Sequence, residues 1–185
     1  AEHLQLHRIV DLKILQNAAL NDEQVQRFNR EARLLADLRH ENILAIYGYG
    51  IEENLGPYLV LECLDNPYSL AELLQVEKSL SWRRAAGIAV KIAETMEFAH
   101  QKGVLHRDLR PENIILLESE GPERVKLADF SLAKAFDGER GAQQITASGQ
   151  VLGSLPYLSP ELRLSELASV GSDVYSLGVL LYQLL

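Results

Sequence analysis

An α+β architecture with two lobes is the fold class that this 185-residue sequence predicts, and three observations carry it. Residues 6–15 alternate, with Val10, Leu12 and Ile14 on one side and Ile9, Asp11, Lys13 and Leu15 on the other, the two-residue period of a strand. Past residue 69 the apolar spacing changes to three and four, most clearly at Ala85, Ile88, Ala89, Ile92, Met96 and Ala99, the stripe of a long helix over 82–101. Strand signals with one helix among them fill the first third, and helical signals dominate the rest. Residues 1–64 are therefore expected to form a partial sheet lobe carrying one helix, and residues 65–185 a partial, mainly helical lobe, with the boundary near 64–69.

The elements follow in order. Asn21-Asp22-Glu23-Gln24 is a capping box, in which the Asn side chain and the Gln three residues on exchange bonds with each other's backbone amide. It opens a helix whose stripe is Phe28, Ala32, Leu35 and Leu38. Strands are expected over 43–51 and 57–64, joined by a turn over 52–56. Ser69-Leu70-Ala71-Glu72 is a second capping box, and Gly103 ends the long helix, as glycine does where the chain turns left-handed. Residues 114–117 and 124–128 read as a small hairpin, 137–153 as a long polar loop, and 170–185 as apolar enough for a buried helix.

Composition narrows the class. A hydrophobic fraction of 47% and a mean hydropathy of -0.06 describe a globular chain, not a disordered one. The net charge of -8 argues against nucleic acid as a partner, since phosphate contacts need a basic face. The single cysteine, Cys63, makes no internal disulfide and no zinc site, which favours a reducing, cytoplasmic compartment. No apolar run approaches the roughly 18–20 residues of a membrane-spanning helix, so no membrane segment is expected within the chain.

The chemistry concentrates in His106-Arg107-Asp108-Leu109-Arg110-Pro111-Glu112-Asn113 and, shortly after, Asp129-Phe130-Ser131. Moving the terminal phosphoryl group of ATP needs little covalent help from protein. It needs a group that orients the attacking hydroxyl, hard oxygen ligands for Mg2+, and positive charge on the phosphates. Asp108 suits the first role, Asn113 and Asp129 the second, Lys13 and Arg110 the third.

These motifs resemble the eukaryotic-type protein kinase family, of the Ser/Thr kind, over nearly the whole chain. The resemblance implies that Lys13 steadies the ATP phosphates with Glu31 as its ion-pair partner, as in the family's known signature set. It places Leu61 as gatekeeper, Glu62 and Leu64 as backbone partners of adenine, and Ile115 in the same nucleotide site. His106 and Phe130 become structural residues, stacked with Leu35 and Ile46 in a column anchored by Asp173, which holds the catalytic-loop backbone. Ser159-Pro160-Glu161 resembles the end of the activation segment, and Glu161 would lack its usual arginine partner. Arg110 after Asp108, together with Ser154, implies protein Ser/Thr hydroxyls as acceptors. Arg107 implies control by phosphorylation, with Thr146 and Ser148 as candidate acceptors. His3, His7 and His40 are expected to be solvated surface histidines. The glycine-rich loop and the C-terminal helices of the family are absent, so the sequence reads as a fragment, itself poorly active.

Two residues depart from the family pattern. Asp11 stands where alanine usually lies against adenine, and Ser131 replaces the glycine after Phe130. They leave room for two alternatives: a pseudokinase or kinase-shaped docking module without turnover, and a small-molecule phosphotransferase of related fold.

Overall fold

The computed structural model describes residues 1–3, 7–15, 21–118, 121, 123–130, 155–164 and 166–185. Its first sheet is antiparallel, in the order β1 (Glu2–His3), β2 (Arg8–Ile14), β4 (Gly56–Glu62), β3 (Ile46–Glu52). Register sets Asp11 opposite Leu61 and Lys13 opposite Leu59. Helix α1 (Asp22–Ala36) starts at the expected capping box: Gln24 N donates to Asn21 Oδ1 at 2.9 Å, and Asn21 N to Gln24 Oε1 at 3.0 Å. It buries Phe28 and Ala32 with Leu59 of the sheet, and the Phe28 ring meets Tyr49 edge-on at 6.1 Å.

The second sheet joins β5 (Pro67–Ser69), β6 (Ile114–Leu117) and β7 (Arg124–Leu127). Three-residue β5 is too short to show a period, and sequence reading missed it. Around this sheet lie α2 (Leu70–Glu77), α3 (Trp82–Gln101), α4 (Pro160–Arg163) and α5 (Val170–Leu184), with 3-10 turns at Pro111–Asn113 and Leu155–Tyr157. Ser69 and Glu72 cap α2 reciprocally, and α3 has the expected ends, with Gly103 beyond it at φ 74°. The main core packs α3 (Ile88, Ile92, Met96) against Ile114 and Leu127 of the sheet and Leu180 of α5. Each such side chain contributes roughly 1.5–3 kcal/mol by leaving water.

Three expectations shift. Ile43 pairs in a parallel bridge with Leu127, so β3 begins only at Ile46. That crossing is a backbone clasp: Leu127 N donates to Asn42 O at 2.7 Å and Leu44 N to Leu127 O at 2.9 Å. His40 is half-buried and engaged by its neighbours. Its ring lies 5.0 Å from Phe98, and its Nδ1 accepts from Asn42 N at 3.1 Å. Helix α5 is buried on one face only, through Ser172, Asp173, Ser176, Leu180 and Leu184, while Tyr182 is 85% exposed. Its sequence is apolar on every side, but α3 covers only one.

Candidate active site

Construction of the site begins with Asp173 in the first turn of α5. Its carboxylate is 2% exposed and accepts from His106 N at 3.0 Å and Arg107 N at 2.8 Å, while His100 Nε2 lies 2.8 Å away. Two amides and one ring thus converge on one buried charge, which fixes the loop that follows. A buried carboxylate with that many donors is stabilised where a bare one would not be. Arg107 then turns through φ 64°, a left-handed conformation that costs a non-glycine residue energy and persists here under those bonds.

His106 is fully buried, its ring centroid 4.5 Å from that of Phe130. Burial pushes its pKa down to about 4 against the pull of the Asp173 charge. It is therefore a neutral packing residue, as the sequence implied.

Beyond Arg107 the loop brings Asp108 and Asn113 together. Asn113 Nδ2 donates to Asp108 O at 2.8 Å and to Asp108 Oδ2 at 2.9 Å. Spending the amide nitrogen on Asp108 leaves the amide oxygen as the atom suited to a cation. Ala128 N donates to Asn113 O at 2.9 Å, which brings the next residue, Asp129, beside the loop at φ 58°. A cavity of about 150 Å³ opens here, with Lys13, Asp108 and Asp129 as its charged walls and Leu15, Leu61 and Phe130 among its apolar ones. Leu35 and Ile46 line it too, as does Phe130.

The expected Lys13–Glu31 pair does not form. Lys13 Nζ pairs instead with the carboxylate of Asp129. Glu31 is half-buried, and desolvation raises its pKa, with Arg107 the strongest of the cations acting the other way. Lys13 takes the carboxylate that shares its cavity, and α1 holds Glu31 among arginines. Sequence spacing put Glu31 on the right helix but could not fix that helix's rotation.

Arg110 donates from Nε to Glu112 Oε2 at 2.8 Å, a bond that lowers the Glu112 pKa and raises that of Arg110. The Asp108 charge adds to the rise, which places the guanidinium within that carboxylate's field. Arg110 is not among the cavity walls, nor are Glu62, Leu64 and Ile115. Ile115 is half-buried between core-facing Ile114 and Leu116, and Leu64 is half-buried just past β4. The Glu62 amide is already used, donating to Ala45 O at 2.9 Å, which leaves its carbonyl for a ligand.

Sequence reading missed the partner of the Glu62 side chain. Lys126 Nζ lies 2.8 Å from Glu62 Oε2, with Ile43 O at 3.4 Å, and Lys126 is only 7% exposed. One ammonium ties the end of β4 to β7 and to the 43–45 segment. A lone lysine between Val125 and Leu127 carries no sequence signal of a buried ion pair. Nor did the sequence give Asn42, whose Nδ2 donates to Val125 O at 2.7 Å. Glu161 accepts a hydrogen bond from the Ser172 hydroxyl at 2.6 Å. Ser131, Thr146, Ser148 and Ser154 lie outside the described residues.

The donor set suits a hard divalent cation. Asn113 and Asp129 offer hard oxygens, and among the described residues no cluster of three His, Cys, Asp or Glu exists that would form an all-protein cage. Magnesium takes one or two protein oxygens and completes its octahedron with phosphates and water.

Comparison with known proteins decides the family. The protein kinase domain family matches residues 1–185. The chain belongs to that family. Its α+β kinase fold is similar in sequence to three bacterial proteins named serine/threonine-protein kinases. It is 36% identical to PknB of Mycolicibacterium smegmatis over 189 residues, covering 100% of this chain and 29% of that protein. It is 37% identical to PrkC of Bacillus subtilis over 186 residues (100% and 27%), and 35% to pkn3 of Myxococcus xanthus over 187 residues (100% and 34%). The kinase chain thus spans about a quarter to a third of the length of these curated relatives. Kinases of this family use ATP and a divalent cation in general. Among the described residues no helix is long and apolar enough to cross a membrane.

Proposed function

We propose that the protein containing this chain is a serine/threonine kinase that transfers the γ-phosphoryl group of ATP to protein hydroxyls, with Mg2+ as its cation. The observation that carries this reading is that Asp108, Asp129 and Lys13 line one cavity, with Asn113 hydrogen-bonded to Asp108 behind its wall. Residues 1–64 act as the upper lobe and residues 65–185 as the lower, with the cavity between them. Magnesium, when bound, neutralises charge on the phosphates.

Asp108 accepts a hydrogen bond from the substrate hydroxyl and aims its oxygen at the γ-phosphorus. As the new P–O bond forms, the bond to the bridging oxygen breaks, ADP leaves, and Asp108 takes the hydroxyl proton. Asn113 holds the Asp108 carboxylate in place through its amide nitrogen and offers its oxygen to the cation. Asp129 supplies the second cation ligand, which requires it to release Lys13. Lys13 is then available to the phosphates and to Glu31, the partner the family pattern gives it. Arg110 adds positive charge beside Asp108. The carbonyl of Glu62 and the backbone of Leu64 meet adenine, with Leu61 at the back and Ile115 below. Cytoplasmic placement of the domain goes with ATP and protein substrates.

A second reading, a kinase-shaped module without turnover, is favoured by one observation: Lys13 engages Asp129 instead of Glu31. Transfer of labelled γ-phosphate to a Ser/Thr peptide mixture by the full-length protein separates the two. Wild type is expected to turn over, and Asp108→Asn to lose roughly 100-fold or more in kcat while ATP affinity stays within about twofold. Equal rates for the two proteins would remove Asp108 from its role. No transfer by wild type, with ATP still bound, would favour the second reading.

A further inference from the structure

The segment that leads into α4 is pinned by one guanidinium and one hydroxyl. Arg163, the last residue of α4, reaches back past the start of its own helix. Its Nε donates to Leu158 O at 2.8 Å, and its Nη2 to Leu155 O at 2.9 Å and Pro156 O at 3.3 Å. The Ser176 hydroxyl of α5 donates to the remaining carbonyl, Tyr157 O, at 2.7 Å. Every carbonyl from 155 to 158 is engaged. A planar fork of several donors suits three acceptors on one turn, where a single ammonium would not.

That turn stands beside the catalytic loop. The Tyr157 ring packs against the main core, and its hydroxyl donates to Gln183 Oε1 of α5. Burial raises the Tyr157 pKa and the Glu112 charge adds to the rise, while the Gln183 bond and Arg110 act the other way. Tyr157 therefore lies in the field of Arg110 and Glu112, which follow Asp108 on its loop. Leu155 and Pro156 face solvent instead, Leu155 being 37% exposed. The phosphoryl-transfer steps use none of these bonds.

We propose that Arg163 is a positioning residue for the protein acceptor, holding turn 155–158 as a fixed shelf for the chain that flanks the acceptor hydroxyl. A hydroxyl bonded to Asp108 has Arg110 and Glu112 as neighbours and Tyr157 as the next surface along. The acceptor chain then passes over Leu155 and Pro156, the exposed side of the turn. A shelf that is already fixed needs no ordering when the acceptor binds, so less binding free energy is lost. Arg163 touches neither nucleotide nor acceptor hydroxyl and acts through the turn. This inference rests on the kinase reading proposed above.

Steady-state kinetics of the full-length protein test it, with one Ser peptide from the Ser/Thr mixture as acceptor. Arg163→Met is expected to raise the peptide KM about tenfold, while the KM for ATP and peptide-independent ATP hydrolysis stay within about twofold of wild type. Arg163→Lys keeps the charge but not the fork, and its peptide KM is expected to stay nearer to that of Arg163→Met. Three results would overturn the inference while leaving the kinase reading intact. These are an unchanged peptide KM in Arg163→Met, an equal fall in ATP hydrolysis and peptide transfer, as a merely structural role would give, or a wild-type peptide KM in Arg163→Lys. Wild type that hydrolyses ATP but phosphorylates no peptide would instead overturn the kinase reading, and this inference with it.

Discussion

The two walls of the cleft are built on different principles. On the lower side, Asp173, His106, Asp108 and Asn113 are joined by bonds already made, anchored on the buried carboxylate of Asp173. On the upper side, Lys13 and Glu31 stand apart, Lys13 on the Asp129 carboxylate and Glu31 among arginines at a raised pKa. The difference teaches which parts of such a site a sequence can hold by itself. A loop clamped by a buried carboxylate needs no ligand to keep its shape, whereas a pair separated by a helix and a strand depends on how the helix rests. In the proposed mechanism a cation on Asp129 and the nucleotide phosphates on Lys13 would part these two, leaving Lys13 free to meet Glu31.

The largest test breaks the lower wall. Asp173→Ala strips the acceptor from two backbone amides and from His100, and is expected to cost about 4 kcal/mol in urea denaturation. A loss under about 1 kcal/mol would show that the clamp is ornamental. Next comes the tie between the walls. Lys126→Met leaves Glu62 charged without its cation and is expected to destabilise by about 3 kcal/mol, and adding Glu62→Gln should recover at least half. If the double variant were as unstable as the sum of the singles, the two residues would not be acting as a pair.

A third test uses pH. His106 has a folded pKa below its ordinary value of 6.5, so the unfolded chain binds the proton more readily. The stabilisation is complete above about pH 6.5 and is lost as pH falls toward about 4. His106→Phe keeps the ring stack and cannot titrate. From pH 7 to pH 5, wild type is expected to lose about 2 kcal/mol more than this variant, and parallel curves would refute the neutral, buried imidazole. The smallest effect belongs to the upper wall. Glu31→Gln removes a desolvated carboxylate that has no lysine partner, so stability should move by less than about 0.5 kcal/mol. Phosphoryl transfer should nevertheless fall about tenfold or more, because Glu31 is needed only in the assembled state. A large stability loss with unchanged turnover would reverse that assignment.

What sequence made legible followed short-range rules. The capping boxes at Asn21 and Ser69, the span of α3 and the Asp108–Asn113 contact each depend on residues at most a few turns apart, where spacing alone sets geometry. The role of Asp173 was legible only through the family pattern, since 66 residues separate it from Arg107. The role of Lys126 was not legible, because alternation around Val125 and Leu127 says which face a side chain takes, not that Glu62 and Ile43 will cover that face. Glu31 was placed on the right element, but the structure keeps it apart from Lys13. Helix rotation is fixed by the packing of Phe28 and Ala32 on the sheet, and by nothing in the spacing of Lys13 and Glu31.

The account turns on Asp129 exchanging Lys13 for a cation. Calorimetric titration of the full-length protein with a non-hydrolysable ATP analogue, with and without Mg2+, tests this most directly. Wild type is expected to bind about tenfold or more tightly with the metal, and Asp129→Asn to lose most of that dependence while binding the metal-free analogue at least as well as wild type. Equal metal dependence in the two proteins would contradict the account.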